Sequence, residues 1–234
     1  IHLSMGVGGV IREVLTAKRP TVLFAAPYSG HEWSNFGAMR NEPGGENLEC
    51  LLTSDLQQLA VAVRPFRALH HLREAKILNV TSRPLRADYT QAIAGKFGSE
   101  IKAIDQPRML AAYEAIEPKA AEEEARRWIR GAVKVVEPPR DEIVNSCRLA
   151  LAFEKLMAEE DANCITVDCY GSMYRKLPAF PCVGFVRLND MGLAGICESD
   201  LTSAMTFLLL QGLSGWPGFI SDPTLDESKH AIIL

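Results

Sequence analysis

Short apolar runs separated by stretches of helical periodicity constrain this chain more than any other feature. Residues 21–26 (TVLFAA), 76–80 (KILNV), 163–167 (NCITV), 181–186 (PCVGFV) and 195–197 (GIC) each read as a strand. Helical spacing fills the intervals. Leu48, Leu52, Leu56 and Leu59 share one face of an expected helix over 47–63, and others are expected at 66–75, 89–97, 109–116, 118–136 and 141–160. A further short strand is expected at 100–104. Strands that alternate with helices build parallel sheets covered by helices. The expected fold class is therefore α/β, with two α/β domains of mainly parallel sheet. Thr81-Ser82-Arg83-Pro84 breaks the pattern and marks the expected boundary, giving domains at 1–80 and 81–234.

Bulk properties narrow the function classes. A net charge of -4 provides no basic footprint, which argues against nucleic acid as a partner. No apolar run approaches the ~20 residues of a membrane span, and no signal peptide is visible, so a cytoplasmic location is expected. The six cysteines contain no CxxC pair and lack zinc-ligand spacing; buried, reduced thiols are expected. Met5-Gly6-Val7-Gly8-Gly9 is not a GxGxxG fingerprint, and no strand precedes it. Glu122/Arg126 and Glu123/Arg127 have the spacing of exposed i,i+4 pairs.

Chemistry-bearing residues gather after the apolar runs. Asp168, Glu198, Asp200 and Asp222 each follow a short expected strand or begin the helix after one, and in a parallel sheet such ends share one edge. Converging carboxylates suit Mg²⁺ or Mn²⁺. Read one at a time, these acids are better explained as helix caps and turn residues. The pair Glu198 and Asp200, at the mouth of the apolar helix that runs from Leu201 to Leu213, makes the stronger case for function. The loop over 27–33 carries His31 and Trp33 beyond the end of the first strand; it reads as a ligand loop or as a surface turn with Trp33 packed inward. Cys169 adjoins Asp168, but no GxSxG elbow or P-loop is present.

Cys197-Glu198-Ser199-Asp200-Leu201-Thr202-Ser203-Ala204, its apolar helix and Gly215-Trp216-Pro217-Gly218-Phe219 together resemble the acid-rich motif of the L-fucose isomerase family. Val167-Asp168-Cys169-Tyr170 and Pro181-Cys182-Val183-Gly184-Phe185 resemble upstream segments of its divergent, fucose isomerase-like members, and the first 80 residues loosely resemble part of the N-terminal α/β domain. The resemblance implies a metal-dependent aldose–ketose isomerase working through an enediol, with Mn²⁺ the usual cation. It implies Glu198 and Asp200 as catalytic acids and metal ligands; Asp168, at its strand end, is expected as a substitute third ligand, and Trp33, His31, Cys169 and Asp222 are the expected substrate contacts. It also implies a homo-oligomer, in which the loop of Trp33 covers a neighbour's sugar. Two positions depart from the family pattern. Gly171 stands where a metal-binding glutamate is expected, and no counterpart of the C-terminal domain, source of a metal-binding histidine, precedes Leu234; His230 does not match that histidine. These departures leave a non-catalytic sugar-binding or sensor protein as the alternative.

Overall fold

Ile77, Leu78 and Val80 are wholly buried on a strand that lies inside its sheet, and most of the architecture follows from covering both of its faces. The computed structural model describes residues 8–27 and 32–233, and contacts divide the chain into two units between Arg67 and Ala68.

In the first unit, α1 (Gly8–Thr16) precedes β1 (Thr21–Ala25), followed by a 3₁₀ turn at Glu32–Asn35, α2 (Phe36–Arg40), β2 (Leu48–Leu52) and α3 (Leu56–Ala62). Here β1 and β2 pair in parallel, Thr21 opposite Leu48. Ile11, Leu15, Leu23, Met39 and Leu48 form the core. The expected helix over 47–63 is thus half strand. Pairing with β1 overrides the helical spacing of Leu48 and Leu52, and Asp55 starts α3 by accepting from the Gln57 N–H at 2.8 Å.

The helix α4 (Arg64–Arg73) leads into β3 (Lys76–Val80), α5 (Ala87–Phe97), β4 (Glu100–Ile104), α6 (Gln106–Glu114), α7 (Pro118–Gly131), α8 (Arg140–Glu159) and β5 (Cys164–Val167). After these come α9 (Cys182–Asp190), β6 (Ala194–Ile196), α10 (Leu201–Ser214) and a small antiparallel hairpin of β7 (Thr224–Asp226) and β8 (Ala231–Ile233). Strands β4-β3-β5-β6 make one parallel sheet. Alternation sends Leu78, Val80, Ile165 and Val167 to the face covered by α6, α8 and α9, and Ile77, Cys164 and Ile196 to the face covered by α4, α5 and α10. The segment 81–84 follows β3, the first strand of this sheet along the chain, and lies within the second unit.

Residues 181–186 are not a strand. Parallel neighbours β5 and β6 require a crossover connection, and α9 is that crossover. Phe185 stacks on Phe153 of α8 with ring centroids 6.0 Å apart. On the other side, the backbone of Phe185 lies so close to Gly195 of β6 that a Cβ there would sit 2.5 Å from its Cα. The expected i,i+4 pairs on α7 are also replaced: Arg140 takes Glu122, and Arg127 takes Glu124 at 2.7 Å. Glu124 joins the packed helices instead, receiving the Trp128 indole N–H and Arg187 of α9, both at 2.8 Å, while Arg187 also pairs with Glu154 of α8.

Candidate functional site

The strand order reverses between β3 and β5, since the chain adds β4 on one side of β3 and then β5 and β6 on the other. Ligands in open α/β sheets sit beyond the strand ends at such a switch point. Two loops meet there, 81–83 after β3 and 168–172 after β5. Asp168, only 4% exposed, joins them: its Oδ2 accepts from the Ser172 N–H (2.8 Å) and the Thr81 hydroxyl (3.3 Å) and forms an ion pair with Arg83 Nε at 3.2 Å. The Ser172 hydroxyl in turn accepts from the Ser82 N–H at 2.9 Å. Burial alone would raise the Asp168 carboxyl, but the hydrogen bonds from Ser172, the charge of Arg83 and the Thr81 hydroxyl outweigh it and hold the group below the ordinary carboxylate range. Gly171 belongs to this knot. A Cβ there would lie 1.9 Å from Asp168 Oδ1 and 2.5 Å from the Arg83 guanidinium. A side chain at 171 therefore requires the Asp168 carboxylate and the Arg83 guanidinium to shift from these positions.

The second arm stands at the end of β6. Glu198 (φ +62°) and Ser199 (φ +58°) are both left-handed, and the Asp200 N–H donates to the Cys197 carbonyl at 3.3 Å. These are the marks of a type I′ turn, which normally carries asparagine and glycine. Two bonds hold it to the sheet. The Ser199 hydroxyl donates to Asn79 Oδ1 of β3 at 2.6 Å, and the Thr166 hydroxyl of β5 donates to the Cys197 carbonyl at 3.4 Å. Asn79 is 2% exposed and sits on the α10 face by the same alternation that buries Ile77. Asp200 caps α10, accepting from the Thr202 and Ser203 N–H groups at 2.9 and 3.1 Å and from the Ser203 hydroxyl at 2.5 Å. Burial opposes its ionisation, yet the Ser203 and Thr202 bonds prevail and lower its pKa. The Glu198 side chain is exposed.

Between the arms, Cys169 Sγ lies 3.9 Å from Cys197 Sγ. This thiol–thiol contact lowers the titration of Cys169 and, together with burial, raises that of Cys197. A cavity of about 430 Å³ opens beside Cys169, with Glu142, Ser146, Met173, Arg175 and Phe180 among its walls. Phe180 packs with Tyr170 and Tyr174 at centroid distances of 5.9 and 6.3 Å.

The structure thus brings Asp168, Cys169, Glu198 and Asp200 to one end of one sheet. Asp222 is not among them. No strand precedes it, and it is an exposed residue of the irregular segment after α10. Trp33 lies in the 3₁₀ turn of the first unit and is 43% exposed; His31 falls outside the described residues. Among the described residues no group of three or more histidines, cysteines or acids could hold a metal ion. Asp200 is engaged by its cap and Asp168 Oδ2 by two donors and the charge of Arg83, so these acids fit part of a cation's oxygen shell rather than the whole. Sequence reasoning missed Thr81, Arg83, Ser172, Arg175 and Phe180. The first two carried a signal, since they directly follow a strand, but the break at Pro84 reads as a boundary; the others lie in an irregular loop with no periodicity. No helix among the described residues is long and apolar enough to cross a membrane.

No family model matches the chain. It is 22% identical over 185 residues to a sulfoquinovose isomerase of Clostridium sp. (strain MSTE9), covering 76% of this chain and 41% of that protein. A sulfoquinovose isomerase of Alkalicoccus urumqiensis is 21% identical over 184 residues, 72% of this chain and 40% of the relative. The chain thus spans about two fifths of the length of these curated relatives.

Proposed function

We propose that this chain carries the acid–base residues of a sugar aldose–ketose isomerase. The observation that supports this most is the turn at 197–200. Two left-handed non-glycine residues are held against the sheet by Ser199 and Thr166, and Glu198 stands exposed at the sheet's carboxyl edge. Strained backbone maintained by its surroundings is typical of functional turns. The names of the relatives add sugar isomerisation as the reaction class, and sulfoquinovose, a sulfonated hexose, as a first substrate to try.

In the proposed reaction Glu198 removes the proton from C2 of the open-chain aldose, leaving the enediolate anion, and the protonated Glu198 then returns a proton to C1. The hydroxyl proton moves from O2 to O1 and completes the ketose. Asp200, held anionic by its cap, orients the polar end of the substrate. Mn²⁺ or Mg²⁺ belongs to the same proposal, with Glu198 and Asp200 as ligands and Asp168 as a third once released from Arg83; such an ion would polarise the carbonyl. A homo-oligomer, with Trp33 and His31 reaching a neighbour's sugar, is likewise proposed. The committed Asp168 and the glycine at 171 favour the rival, a sugar-binding protein without turnover.

Interconversion of sulfoquinovose and neutral aldohexoses with their ketoses, followed by NMR, tests the reading. Glu198→Gln and Asp200→Asn should each lower kcat at least a hundredfold, and elemental analysis with and without Asp200→Asn reports the cation. Full turnover in both variants would refute the assignment, and tight binding without turnover in the parent chain would favour the rival.

A further inference from the structure

Resting on the isomerase reading, we infer that the cavity beside Cys169 receives the anionic end of a sugar acid or sulfonated sugar, with Arg175 as the residue that reads the negative charge. Its volume of about 430 Å³ lies within the ~300–1,000 Å³ span of small-molecule sites. Its position is fixed by Cys169, which lines the cavity and touches Cys197, the residue before Glu198. One thiol contact, Cys169 to Cys197, thus links a wall of the cavity to the turn that carries Glu198.

Its lining suits a ligand that is charged at one place and hydroxylated elsewhere. Arg175 makes no ion pair among the described residues, although acids elsewhere in the second unit are widely paired. Its guanidinium lies 5.2 Å from the Tyr174 ring, which orients the fork and leaves its N–H donors for an oxyanion. Its backbone is left-handed, φ +56°, a conformation that a side chain with a Cβ adopts only at a cost. Glu142 and Ser146 of α8 line the cavity as well and offer an acceptor and a hydroxyl for sugar hydroxyl groups. Phe180 adds an apolar wall, stiffened by Tyr170 and Tyr174, against which a sugar's C–H face can pack. A neutral hexose would use the hydroxyl partners and the wall but leave Arg175 unanswered.

Calorimetric titration of the 234-residue chain with sulfoquinovose, glucose and inorganic sulfate tests the assignment. The parent chain should bind sulfoquinovose at least tenfold more tightly than glucose. Arg175→Gln should erase that preference without changing glucose affinity more than about threefold, and Arg175→Lys should keep part of it, because a point charge replaces the fork. Phe180→Ala should weaken both sugars alike. Arg175 is exposed and outside any helix or strand, so these variants should keep the parent's thermal transition. Sulfoquinovose bound equally by the parent and Arg175→Gln, or not at all, overturns the inference. Turnover of any aldose, measured separately, decides the isomerase reading, so either can fail while the other stands.

Discussion

Asp168 shows how a residue type can be anticipated while its work is not. A carboxylate after a buried strand invites a metal, yet here Oδ2 binds Ser172, Thr81 and Arg83 across the switch point. Gly171 shares that role, because any side chain there meets Asp168 Oδ1. Gly171→Ala should therefore destabilise the chain by about 1–3 kcal/mol, read as a lower urea midpoint at unchanged slope. An unaltered midpoint would mean that the loop opens freely. Asp168→Asn removes the charge that faces Arg83 and should change the loop in the same direction. The positions of Asp168, Cys169, Glu198 and Asp200 were legible because each follows an apolar run. Asp222 was not, because an apolar run such as 218–221 has no strand to pair with and the sequence does not reveal that. Arg83 and Ser172 escaped because their meaning lies in contacts, Arg83 with Asp168 and Ser172 with Ser82, between distant segments of the chain, which no local pattern encodes.

Among elements, the turn at 197–200 and the helix trio α7, α8 and α9 carry the most specific expectations. Glu198→Gly relieves one left-handed side chain and should stabilise the chain by about 1 kcal/mol while abolishing the proposed proton transfer, an opposition that unfolding and turnover assays can read together. Ser199→Ala leaves the buried Asn79 without its 2.6 Å partner and should cost about 1–3 kcal/mol. Glu124 presents a pH dependence. Burial works against its charge, but Arg127, Trp128 and Arg187 prevail and hold its pKa below the ordinary 4.5. Its contribution is therefore complete above that value and is lost as pH falls through the lower folded-state pKa. Glu124→Gln should cost about 1–3 kcal/mol at pH 7, since Arg127, Trp128 and Arg187 lose a charged acceptor while Arg187 keeps Glu154, and should flatten the acid limb of the stability curve. A limb as steep as the parent's would place the pH dependence elsewhere. The two elements misread from sequence, β2 and α9, fail for related reasons. Leucines at i and i+4 describe a helix face until β1 offers a parallel partner, and Val183, Phe185 and Val186 suit a strand until β5 and β6 become neighbours that need a crossover.

At the scale of the whole molecule, alternation of strand and helix was enough to anticipate an α/β fold with parallel sheets, and the strand order then locates the switch point. The match covers about two fifths of the length of these sugar isomerases, and their names agree with the reaction class that the Cys197–Ala204 motif suggests. The central claim is proton transfer between adjacent sugar carbons by Glu198. Isomerisation in D₂O tests it most directly, by NMR of the ketose formed from sulfoquinovose and from neutral aldohexoses. The account predicts deuterium at C1 of the ketose formed by the parent chain, and none above background with Glu198→Gln. Ketose formed without deuterium in the parent, or label unaffected by Glu198→Gln, would contradict it.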